Sequence, residues 1–131
     1  MMHEDAGNIA QDWHAFTARR LVANEFRIAE SALLGQTRST ADIAQARQVA
    51  MYLAHVVYQL SYNDVAAAFG RERSTVSHAC ALVEDLRDDP AFDSRLDKLE
   101  ERLQQLDRLR RGDRVERKSL PDICTLIAAR A

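Results

Sequence analysis

An all-α fold follows from three features of this 131-residue sequence. Ala, Leu, Arg, Glu and Gln are abundant, and all favour helix, whereas Gly occurs four times and Pro twice. No run alternates apolar and polar residues over a strand's length, and no Asn-Gly or Asp-Gly pair offers a hairpin turn. Apolar residues recur instead at three- and four-residue intervals along most of the chain. With 47% hydrophobic and 29% charged residues, the chain is expected to fold as one compact helical bundle with a helical extension.

Each element has a local reason. Residues 1–8 are expected to fray. Ile9, Trp13, Phe16, Val22 and Phe26 mark the inward stripe of a first helix, about Ile9 to Phe26. Leu33 and Leu34 belong to a short second helix that Gly35 ends, and Gln36 to Thr40 is a polar loop. Thr40 or Asp42 suits the cap of a helix reaching Tyr58, with Ile43, Ala46, Val49, Ala50, Leu53, Val56 and Val57 inward. Ser61 caps a short helix with Asp64 in its first turn and Val65, Ala66 and Phe69 buried. Gly70 supplies a left-handed exit. Ser74 is expected to cap the next helix, whose inward residues are Val76, Ala79, Cys80, Val83 and Leu86. Asp88-Asp89-Pro90 stops that helix. Phe92, Leu96, Leu99, Leu103 and Leu106 then form a heptad-like seam on an extra C-terminal helix reaching about Arg111, where Gly112 interrupts. The last piece, 120–131, has Pro121 at its start and apolar Ile123, Leu126 and Ile127.

The stretch from Ala46 to Leu86 thus has the layout of a helix-turn-helix, which presents the N-terminal half of its second helix to the major groove. The outward residues there are Arg73, Ser74, Thr75, Ser77 and His78. Arg73 has the fork that fits guanine, and Thr75 suits a phosphate, a base edge or a thymine methyl. Free N–H groups at the helix start suit a phosphate. The residues alone leave a second reading open, in which Ser74 and Thr75 only cap a helix, 71–73 is a solvated turn and His78 is an ordinary surface histidine.

The wording of the segment resembles the C-terminal, box-recognising domain of the bacterial replication initiator DnaA family. That domain carries PRQ-x-AMYLA, then S-x-x-x-I-G-x-x-FGGRDHTTV-x-HAC. This chain has ARQVAMYLA at 46–54, SYNDVAAAFG at 61–70 and STVSHAC at 74–80. Val22, Phe26, Ile28, Leu33 and Leu34 resemble the domain's first two helices, so the resemblance covers about 21–89. It implies an all-α bundle with a Trp-repressor-like helix-turn-helix that binds double-stranded DNA sequence-specifically. By the same resemblance Arg47 matches the minor-groove arginine, Arg71 the arginine of the turn, Ser74 and Thr75 the paired threonines, and His78 the histidine of HAC. Arg38 lies in the loop where the family is basic. The expected division is 1–20 as an N-terminal extension, 21–89 as the DNA-reading domain and 90–131 as the leucine-seam helix and basic tail.

The departures are informative. The turn is one residue shorter, Arg73 replaces a histidine, Ala46 replaces a proline, and Ala81-Leu82 replaces an Arg-Lys pair. The loop 36–39 is thinned of cations. Each lost phosphate contact lowers the salt dependence of binding by about one unit, so a different target or weaker binding is expected. No G-x-x-x-x-G-K-[ST] motif occurs, so neither ATPase activity nor a bound nucleotide is expected.

Composition bounds the remainder. The net charge is −2 and the pI about 6.1, against a strong nonspecific hold on DNA. Cations gather at Arg110, Arg111, Arg114, Arg117 and Lys118, a solvated run or an added phosphate grip. Four His and two Cys (Cys80, Cys124) show no metal-ligand spacing, and no nucleophile motif is present, so no metal, cofactor or enzyme chemistry is expected. Without a signal sequence or membrane-length apolar run, a cytoplasmic, nucleoid-associated protein is expected, acting in transcription or in replication control. The seam Phe92, Leu96, Leu99, Leu103, Leu106 either packs on the domain core or pairs two copies as a homodimer. The acidic balance admits an alternative function, a protein-interaction module that has kept the fold and lost DNA affinity. The charge around Ser74 separates the two.

Overall fold

A computed structural model describes residues 6–35 and 40–112. Six helices follow in order: α1 (Ala6–Phe26), α2 (Glu30–Leu33), α3 (Ala41–Tyr58), α4 (Tyr62–Phe69), α5 (Arg73–Leu86) and α6 (Pro90–Arg111). There is no strand among the described residues. Arg38, the cations beyond Gly112, Cys124 and the piece 120–131 lie outside them.

Local chemistry sets most boundaries. Thr40 Oγ1 accepts the Ile43 N–H at 3.3 Å, Ser61 Oγ that of Asp64 at 3.0 Å, and Asp89 Oδ2 that of Phe92 at 2.9 Å. Each satisfies one orphan donor of a first turn. Pro90 stands at the start of α6, where its missing N–H costs nothing. Gly70 (φ 65°) and Gly112 (φ 80°) close α4 and α6 in the left-handed region. Arg27 (φ 57°) and Gln59 (φ 58°) do the same for α1 and α3 without glycine. At α1 the exit is secured by the Ile28 N–H, which reaches back to Ala23 O at 2.9 Å.

One expected cap is corrected. The residue before α5 is Glu72, not Ser74, and its side chain makes no capping bond. The N–H groups of Thr75 and Val76 turn instead onto Glu72 O, at 3.0 and 3.2 Å. With Arg71 N–H already bonded to Ala66 O at 2.9 Å, the chain leaves Gly70 aimed to start a helix at once. Ser74 is consequently an exposed first-turn residue.

α3 is the central element, packed by α1 and α5 along most of its length, with α2, α4 and α6 completing the enclosure. It buries Ala46, Val49, Ala50, Met51, Tyr52, Leu53 and Ala54. The inward face of α1 differs from the expected one. Ala15, Ala18, Leu21, Val22 and Ala23 are buried, whereas Trp13 is half-buried and Phe16 is 40% exposed. Small residues on α1 and α3 let the two helices approach closely, which pushes large rings to the rim. There Trp13 meets Tyr58 and the Arg110 guanidinium, and Phe16 lies beneath Arg19 and Arg20. Val56 (41%) and Leu86 (37%), also expected inside, sit at the margins of their faces.

The leucine seam is spent within the molecule. Leu96, Leu99 and Leu103 are fully buried against the common core, Phe92 packs against it, and Leu106 is half-buried. α6 is also pinned by polar contacts: Tyr58 Oη donates to Leu103 O at 2.7 Å, and His14 Nε2 lies 2.9 Å from Asp107 Oδ1. The homodimer through Phe92, Leu96, Leu99, Leu103 and Leu106 is thereby corrected, because the apolar face it needs already covers α1 and α3. Cys80 is buried as well, and burial pushes its thiol up to about 11, so it serves as an apolar packing residue.

Candidate nucleic-acid interface

α4, the turn Gly70–Glu72 and α5 form the helix-turn-helix. Inward positions Val76, Ala79, Cys80 and Val83 seat α5 on the core. That register leaves Arg73, Ser74, Thr75 and His78 exposed, with Ser77 half-buried beside them. The outer stripe runs Ser74, His78, Ala81, Asp85, so its polar end lies toward the N-terminus and its acidic end at the far side. The backbone N–H groups of Arg73 and Ser74 precede the helical ladder, and the Glu72 carboxylate does not cap them. This end of α5 thus offers hydrogen-bond donors, hydroxyls and one guanidinium, the set that phosphates and base edges accept.

Arg73 does not hang freely. Its guanidinium carbon lies over the Tyr62 ring, 5.4 Å from the centroid. Tyr62 opens α4, and its ring leans on that of His55 of α3 at 4.5 Å. Neither aromatic residue is a site candidate by sequence, since nothing local links Tyr62 to Arg73.

The other two candidate arginines among the described residues occupy different ground. Arg47 donates from Nε to Leu33 O at 2.7 Å and from Nη2 to Ala32 O at 3.0 Å. Arg71 donates from Nη2 to Gly35 O at 2.6 Å, with longer contacts to Phe69 O and Gly70 O. In the four-residue α2 the Leu34 and Gly35 N–H groups reach only Ser31 O and Ala32 O, and the carbonyls at its exit form the negative end of its dipole. Both guanidiniums converge on that end. Burial, and then the neighbouring Arg71 charge, lower the pKa of Arg47 from its ordinary value. The pair ties α3 and the turn to the exit of α2. Arg38, the remaining expected contact, lies outside the described residues.

Arg47→Ala is therefore expected to cost about 2 kcal/mol of stability, because two charged hydrogen bonds are lost and Leu33 O loses its donor, while Ala32 O keeps only the Gly35 N–H. Urea denaturation measures this. Wild-type stability with reduced DNA affinity would instead put the main role of Arg47 at DNA.

A helix with an exposed polar start, joined through a short turn to a helix anchored in the same core, defines a helix-turn-helix DNA-binding domain. Residues 18–83, half of the chain, match the family described as bacterial DnaA protein helix-turn-helix, and the chain belongs to that family. Among curated relatives, the chromosomal replication initiator protein DnaA of Lachnoclostridium phytofermentans is 38% identical over 81 residues, covering 60% of this chain and 18% of that protein. DnaA 1 of Protochlamydia amoebophila is 48% identical over 63 residues, covering 48% and 14%. DnaA of Acinetobacter baumannii is 44% identical over 77 residues, covering 57% and 16%. The chain spans less than a fifth of the length of these relatives. Among the described residues no helix is long and apolar enough to cross a membrane.

Proposed function

We propose that this chain reads double-stranded DNA sequence-specifically through the N-terminal half of α5, as a regulator of transcription or a modulator of replication. The observation that carries the reading is the exposure of Arg73, Ser74, Thr75 and His78 on a helix whose other face is buried in the core. Arg73 takes the base-reading role, and Ser74, Thr75, Ser77 and His78 approach bases or adjacent phosphates. Arg47 and Arg71 act first by holding the α2 exit beside the turn. No phosphate-loop motif occurs in these residues, so the reading requires no nucleotide from them.

With Arg47 and Arg71 donating to carbonyls, fewer of their N–H groups are left for phosphates. The salt dependence is expected to be correspondingly shallow, falling by about one unit for each phosphate contact not made.

Fluorescence anisotropy tests the reading on a duplex carrying an initiator box, a scrambled duplex and a genomic-fragment competitor at two salt concentrations. Arg73→Ala is expected to weaken binding to the preferred duplex by about 10-fold or more, with little change on the scrambled one. Thr75→Ala should weaken it less. If both substitutions leave affinity and preference as in wild type, the reading is wrong. Absence of binding even at low salt would favour the protein-interaction alternative.

A further inference from the structure

Resting on the DNA reading above, we infer that Tyr62 is a specificity-determining residue: its ring is the shelf that fixes where the Arg73 guanidinium meets a base pair. Three side chains from three helices stand in sequence. His55, near the C-terminal end of α3, has Nδ1 2.8 Å from Leu60 O. A carbonyl oxygen only accepts, so Nδ1 carries the hydrogen and the imidazole is held in one orientation. The Tyr62 ring leans on this imidazole with 4.5 Å between centroids and 39° between planes. The Arg73 guanidinium lies over the same ring, 5.4 Å from its centroid.

The anchoring of this stack is what makes it a reading device. Ser61 caps α4 immediately before Tyr62, and the left-handed Gln59 turns the chain so that Leu60 O faces His55. Both Tyr62 and His55 are half-buried, whereas Arg73 is exposed at the first position of α5. A free arginine side chain samples many rotamers, and ordering it opposes binding. A guanidinium already resting on an aromatic face keeps its planar fork outward and loses less freedom when it pairs with guanine O6 and N7. The ring therefore acts through Arg73, as a positioning residue. Discrimination at the base pair Arg73 meets should depend on it, and the phosphate-dependent part of binding should not.

Selection of duplexes from a randomised library, followed by anisotropy on the selected and scrambled sequences across a salt series, tests this. Wild type, Arg73→Ala, Tyr62→Leu and Tyr62→Phe are compared, each checked for wild-type helicity. Arg73→Ala identifies the base pairs that residue reads. Tyr62→Leu keeps apolar bulk and removes the π face, so it should lose about two- to five-fold preference at those same base pairs. Its affinity for scrambled DNA and its salt slope should stay as in wild type. Tyr62→Phe keeps the shelf and should retain the preference. The inference is overturned if Tyr62→Leu keeps full preference where Arg73→Ala has lost it. It is also overturned if Tyr62→Leu lowers the salt slope by about one unit on all sequences, which would make Tyr62 a phosphate contact. A wild-type protein that selects no sequence would overturn the DNA reading itself, and the inference with it.

Discussion

Truncation of Phe69 to alanine is expected to remove about 4 kcal/mol of stability, most of what a domain of this size has to spare. The ring is 1% exposed and closes α4 just before the turn. α4 has only eight residues and buries three of them, Val65, Ala66 and Phe69. A helix that short does not persist in water without tertiary anchorage, and Phe69 is the largest part of that anchorage. Its ring also carries the Arg19 guanidinium at 5.6 Å, which links α4 to α1. Loss of the ring leaves a cavity among α1, α4 and α5 and frees the turn that aims the recognition helix. Thermal unfolding should show a fall of about 20 °C in Tm. Phe69→Leu, which keeps most of the volume, should cost about 1 kcal/mol. At low temperature, where folded Phe69→Ala remains, DNA affinity should fall although no exposed side chain of α5 has changed. A Tm within a few degrees of wild type would show that α4 is held by something other than this ring.

The same segment shows what was legible in the sequence. Ser61, Gly70 and the spacing of Val65, Ala66 and Phe69 are local signals, and the structure places them as their chemistry dictates. The start of α5 was not legible. Ser74 is a better cap by residue type than Glu72, and it is the bonds from Thr75 and Val76 N–H to Glu72 O that show the helix starting two residues earlier. Periodicity finds a face and is silent about what the face meets, so the seam of α6 admitted a partner until Leu99 and Leu103 were seen beneath α1 and α3. On α1 the large residues misled, because close packing against α3 favours alanine. At the candidate interface, the outward set on α5 followed from the register. The partners of Arg47, Arg71 and Arg73 did not, since each lies on another helix or beyond the turn.

Arg87→Met is the second large effect, and it concerns how α6 is bound to the helix-turn-helix. Arg87 ends α5 with its side chain only 14% exposed. Nε donates to Asp93 Oδ1 at 2.5 Å, Nη1 to Glu100 Oε2 at 2.6 Å and to Tyr52 Oη at 3.1 Å, and Nη2 to Asp97. Tyr52 in turn donates to Glu84 Oε2 at 2.9 Å. One guanidinium thus gathers α3, α5 and three carboxylates of α6. Burial acts to lower its pKa, but the bonds to Asp93, Glu100 and Tyr52 outweigh this and hold it above the ordinary arginine value. Burial likewise pushes the Tyr52 hydroxyl up to about 12, so it remains a donor at neutral pH.

Methionine preserves the packing of the stem and deletes the charge, leaving Asp93, Asp97 and Glu100 to repel one another without a counterion. Asp97 is well exposed and contributes little, since solvent screens it. Glu100, at 23% exposure, bears most of the loss. The expected cost is about 2–3 kcal/mol, below that of a fully buried pair. Guanidinium chloride would mask this by ionic screening, so urea is the denaturant of choice. In the double variant Arg87→Met/Glu100→Gln part of the loss should return, giving a coupling energy of about 1 kcal/mol or more between the two positions. Strict additivity would mean that Arg87 acts through its stem alone. The distinction bears on the proposed function, because this hub fixes α5 at its C-terminal end, whereas Arg73, Ser74 and Thr75 at its N-terminal end are exposed. If the hub holds, Arg87→Met should weaken DNA binding only in proportion to the fraction unfolded and leave base preference unchanged.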